Sequence, residues 1–278
     1  RETTISDLDT LTVTSSANSG AGSLRQAILD ANVTATEETI AFDIAGPCPR
    51  TIALTSPLPT VSNTLTLDGF TQPGSSPNTE PDFDDSVHCI ALSTDATSAL
   101  NLTPGPDQEI TVRGLAVYGA TNAAIQVSGS GRATIAGNTF NTGTPLLAVG
   151  GPAFAIAVDG ASDTLIGGND VASRNIIGRA TTAGVRLGPG TGRRVIGNFI
   201  GIAKNGSSAA GNQVGVLVVD GQFDALTDNA IGNNVTQGIR VEGANSEMNL
   251  QRNLIGPSPN PTNIGDFSSP NGTNGIRL

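Results

Sequence analysis

The chain has 278 residues, with 35 glycines, 3% aromatic residues, no tryptophan and a formal net charge of −10. That acidity makes nucleic acid and anionic membranes poor partners, and no apolar run is long enough to span a bilayer. The two cysteines, Cys48 and Cys89, form no CxxC pair and have a single histidine, His88, nearby, which suggests one Cys48–Cys89 disulfide in an oxidising compartment.

A Thr-rich strand at Thr10–Thr14 opens the chain. Residues 23–32 follow with Leu24, Ala27, Ile28 and Ala31 at three- and four-residue spacing, Ser23 as N-cap and Asn32 as stop, which predicts a short amphipathic helix. Apolar alternation then marks strands at Ile40–Ile44, Ile52–Leu54 and Leu65–Leu67. An insertion at 68–87 carries Glu80, Asp82, Asp84 and Asp85. Carboxylates at alternating loop positions can gather round Ca²⁺, the only ion the sequence implies; a solvated acidic loop is the plainer reading. Strands return at Ile90–Leu92, Leu100–Leu102 and Ile110–Val112.

From residue 110 a two-part phrase repeats. Its first half reads Ile125-Gln-Val127, Ile156-Ala-Val158, Gly184-Val-Arg-Leu187, Gly215-Val-Leu-Val218, Gly238-Ile-Arg-Val241 and Gly275-Ile-Arg-Leu278. Its second half places Asn138, Asn175, Asn198, Asn229 and Asn253 two residues before a buried Phe or Ile. An uninterrupted turn takes 23 residues (216 to 239), too short for a helical repeat and right for a coil of short strands. One coil cannot bury its inward face, but stacked coils can, each pairing with the next at about 4.8 Å. The prediction is an all-β, parallel β-helix over residues 1–278, irregular through 1–109 and regular through 110–278. The helix should lie over its N-terminal end as a lid. The asparagines are expected to form a structural ladder at one corner, bonded to backbone and to each other. The inward set is Ile125, Val127, Ile156, Val158, Val185, Leu187, Val216, Val218, Ile239 and Val241.

Arg186, Arg240 and Arg277 share one outward strand position with Gln126, Ala157 and Leu217. Their forks could hold a carboxylated sugar, or they could form a solvent face balanced by Asp159, Asp220 and Glu242. Long connections at 141–154, 201–214 and 257–274 all follow the Asn-bearing strand and should emerge at one edge; insertions on one side of a solenoid commonly bind. They are poor in acid–base groups, with Lys204 and Asp266 as the candidates. Five Asn-x-Ser/Thr sites occur, at Asn32, Asn101, Asn205, Asn234 and Asn271.

The run Ser23-Leu-Arg-Gln-Ala-Ile-Leu-Asp-Ala-Asn32, with Thr39-Ile-Ala-Phe42 and Leu67-Asp-Gly-Phe-Thr-Gln-Pro-Gly74, resembles the N-terminal part of bacterial surface β-helix proteins. These are similar to polymorphic outer membrane proteins and other secreted right-handed parallel β-helix repeat proteins of pectin-lyase-like fold. The resemblance implies the right hand of the helix and an extracellular or cell-surface setting. Enzymes of that fold use sets this chain does not match: there is no Trp, Asn138-Thr139 is followed by Phe140, His88 by Cys89, and no Arg-Ile-Lys occurs. The expected role is therefore structural or adhesive, with a polysaccharide or another cell-surface protein as partner. The alternative is a polysaccharide lyase or glycoside hydrolase with a groove near Arg113, Arg132, Asp159 and Asp163. The chain stops on the first strand of a new coil, which reads as a piece of a longer array.

Overall fold

In the computed structural model of the protein, the described residues are 9–34, 36–142, 151–160, 163–244, 246–256 and 271–278. Three parallel sheets run along the molecule, and the chain visits them in rotation. The first has nine strands, from Asp9–Val13 through Glu109–Arg113 to Met248–Gln251. The second has eight, from Arg50–Leu54 through Thr139–Phe140 to Leu254–Ile255, and the third has seven, from Ser98–Leu102 through Ala183–Leu187 to Asn274–Arg277. This is the parallel β-helix that the alternation and the 23-residue turn predict.

Register follows the apolar pattern, because a one-residue slip would turn every inward side chain to solvent. In the first sheet Ile40, Leu67, Val112 and Ile135 lie in one inward row, continued by Ile166, Val195 and Leu226. In the third sheet Ile125, Ile156, Val185, Val216 and Ile239 do the same. The core they build runs without a break from Val13 to Ile239. Of the predicted inward set only Val241 departs: it is partly buried, packed against the edge of the core.

The helix spans Leu24–Ala31, with Ser23 Oγ accepting from the Gln26 N–H at 3.2 Å. Leu24, Ala27, Ile28 and Ala31 are buried in the common core, and the helix packs against Asp9–Val13 and Glu38–Phe42. It therefore covers the N-terminal end of the coil stack, where core and strand edge would otherwise meet water. Cys48 and Cys89 are bonded, with Cα atoms 4.8 Å apart. They precede two neighbouring strands of the second sheet, Arg50–Leu54 and Ile90–Thr94.

Two corner details depend on particular residues. Gly119 and Gly201 leave the second sheet with φ of +78° and +83°, and a Cβ on either would lie about 2.1 Å from a carbonyl oxygen of an adjacent coil, so only glycine fits. Between the third and first sheets, Arg193 and Asp224 form an ion pair with both side chains 0% exposed. Arg193 Nε and Nη2 each donate to Asp224 at 2.7 Å, and Nη2 also reaches Gly188 O. This pair carries no repeat signature.

Candidate functional site

The asparagines of the second-half phrase stand one above another where the first sheet passes into the second. Nδ2 of Asn138, Asn175, Asn198 and Asn229 donates in turn to Oδ1 of Asn175, Asn198, Asn229 and Asn253, at 3.2, 2.9, 3.0 and 2.9 Å. The same Oδ1 atoms accept the backbone N–H of the coil before. Each amide thus satisfies corner groups that strand pairing leaves over. A second column, absent from the sequence reading, occupies the corner between the second and third sheets. There Asn212 donates to Asn234 and Asn234 to Asn271, both at 3.0 Å. Its signal was an Asn three or four residues before the Gly that opens the next strand: Asn212 before Gly215, Asn234 before Gly238, Asn271 before Gly275. Asn234 is buried, so this Asn-x-Thr site is closed to glycosylation, whereas Asn205 lies in an exposed turn.

The outward row of the third sheet is in register as Asn101, Gln126, Ala157, Arg186, Leu217, Arg240 and Arg277. Arg186 donates to Asp159 at 2.5 Å and lies 5.7 Å from the Phe154 ring; Gln126 donates to the other oxygen of Asp159. Arg240 pairs with Glu242. Leu217, nearly buried, separates Arg186 from Arg240. The row is therefore a broken stripe of charge-balanced forks, and Arg277 on the last strand is exposed.

The four acidic residues of the early insertion separate rather than converge. Asp85 accepts from Thr79 N–H and Oγ1, which holds its carboxyl below the usual range. Asp84 bonds Ser86 Oγ and pairs with Lys204 Nζ at 3.1 Å. Among the described residues no group of three or more His, Cys, Asp or Glu side chains is placed to hold a metal ion. The insertion instead works as a strap across the outer face of the second sheet. Arg174 donates to the carbonyls of Glu80, Pro81 and Phe83 and stacks on Phe199 at 4.1 Å. Lys204 Nζ donates to Ser86, and Lys204 O accepts from Asp84 N–H. His88 Nε2 lies 2.8 Å from Gly137 O. Burial, assisted by the Lys204 charge, lowers its pKa to about 4, so the ring is neutral near pH 7 and faces protein.

The four residues suggested for an enzymatic groove lie apart. Arg113 pairs with Asp68 at 3.0 Å and Asp159 with Arg186. Arg132 and Asp163 line a different, polar cavity with Asp107 and Glu109. The long connections do share one side: the chain leaves the second sheet after Phe140, Ile200 and Ile255 and enters the third at Phe154, Val214 and Asn274. Residues 143–150 and 257–270 of two of them lie outside the described residues. Between these coils, 178–182 and 232–236 make the same passage in five residues each.

A family model described as right handed beta helix region matches residues 85–255, which settles the hand of the coil. No curated protein matches the chain.

Proposed function

The chain belongs to the right-handed β-helix family, and from that premise we propose that it serves outside the cell as a rigid, non-catalytic solenoid that presents one edge to a surface glycan. A bacterial surface protein of the kind the N-terminal motif resembles would use it so. One observation carries the reading: all three long connections join the second sheet to the third, and they recur on every second coil. Strand spacing sets the points where these connections leave the second sheet about 10 Å apart, and each leads into the third sheet, whose outward row carries Arg186, Arg240 and Arg277. Carboxylates already pair with Arg186 and Arg240, so the row offers hydrogen bonds without a large field. The single histidine of the chain faces protein and is neutral, which supports a binding role over acid–base chemistry.

The test is sedimentation with insoluble polysaccharides, alongside assays for reducing ends and unsaturated products. The expected result is retention without product, weakened when the 141–153 connection is cut to five residues or when Arg240 and Arg277 become alanine. Product formation that disappears in Arg132→Ala or Asp163→Asn would replace this reading with a polysaccharide-active enzyme.

A further inference from the structure

On the side away from that edge, the strap and a second insertion, 168–174, build a groove of about 340 Å³ over the corner between the first and second sheets. Its floor is the outward row of the second sheet, where Phe199, Ala230 and Leu254 are in register. Phe199 is covered by the Arg174 guanidinium, while Leu254 is 46% exposed and leaves an apolar step open. Asp82 of the strap, Asp170 of the second insertion, and Asp228 and Arg252 of the following coils line it.

The charges in this groove are not equivalent. Arg252 is committed to Asp228 through two 2.7 Å bonds, which hold the Asp228 carboxyl below its usual range. Arg174 directs both terminal nitrogens at strap carbonyls. That leaves Asp82 and Asp170, neither of whose carboxylates has a hydrogen-bond partner among the described residues, as acceptors facing the groove. Arg174, only 8% exposed, forms a rigid wall of the groove, pinned by three strap carbonyls and the Phe199 ring. A preformed hollow with an apolar floor and a few placed polar groups is the ordinary form of a small-ligand site.

We propose that this groove is a subsite for an uncharged sugar ring. The C–H face of the ring lies on Leu254, and its hydroxyls donate to Asp82 and Asp170. Carboxylates accept hydroxyl donors strongly. The same two groups repel a uronate, because both arginines that could neutralise it are already engaged. The site is separate from the edge between the second and third sheets, so either assignment can fail alone.

Calorimetric titration of the whole chain with gluco-, manno- and galacto-oligosaccharides and with oligogalacturonate tests it. At least one neutral series is expected to bind, and oligogalacturonate to bind at least tenfold more weakly. Asp82→Asn and Asp170→Asn should each weaken the neutral ligand by about tenfold with an unchanged melting temperature, since both side chains are at the surface. Asp95→Asn, an exposed carboxylate that does not line the groove, should leave this affinity unaltered. Absence of neutral binding at millimolar ligand, equal binding of oligogalacturonate, or affinity indifferent to both Asn variants would overturn the proposal.

Discussion

Asn229 shows what one residue does for a corner. Its Oδ1 takes two donors from Asn198, and its Nδ2 gives to Val195 O and Asn253. Asn229→Ala strands the Asn198 N–H in a dry corner, so stability should fall by about 1–2 kcal/mol, read as a lower urea midpoint at unchanged slope. His88 acts through protonation. The unfolded chain takes its proton near pH 6.5, whereas the folded ring resists until about 4, chiefly through burial. Stability from the neutral ring is therefore full above pH 6.5, falls as pH drops from 6.5 to 4, and levels below that, a span of about 3 kcal/mol. Urea midpoints of the protein minus those of His88→Gln should trace that window; a flat difference would show that the ring is solvated. The first column of asparagines was legible because its offset from the buried Ile or Phe is constant. The second was not: its offset from the glycine varies, and Ala180 stands at the equivalent place in one coil, donating its N–H to Asn212.

At the scale of elements, strands and helix were legible from period alone, since each buries one face and the sequence marks that face. The strap was not. Its anchors, Arg174 and Lys204, meet partners 93 and 118 residues away, and such pairs leave no periodic trace. For the same reason the sequence, which allows both a Ca²⁺ cage and a solvated acidic loop here, does not show that Asp85 bonds Thr79 while Asp84 pairs with Lys204. The disulfide ties the start of this irregular region to a regular strand. Closing 41 residues of sequence should contribute about 4 kcal/mol by chain entropy. Reduction, or Cys48→Ser with Cys89→Ser, should lower the denaturation midpoint accordingly. Two free thiols by mass in the unreduced protein would contradict the bond.

For the molecule as a whole, stability is a sum over neighbouring coils. Ala183–Leu187 has a paired strand on both sides and a buried inward row, whereas among the described residues Asn274–Arg277 pairs with Gln237–Glu242 alone and is exposed. Hydrogen exchange should therefore be slowest at Phe154–Asp159 and Ala183–Leu187, intermediate at Gln237–Glu242 and fastest at Asn274–Arg277. Uniform protection along the third sheet would mean that the coils open as one unit. The asparagine relay also bears on how such a chain can change over generations. Asn175, Asn198 and Asn229 each receive from the coil before and give to the coil after through the same atoms. A duplicated coil spliced between two such coils would find a donor above and an acceptor below already in place. Cross-section is thus held fixed by chemistry, while length is left open to inheritance by unequal recombination.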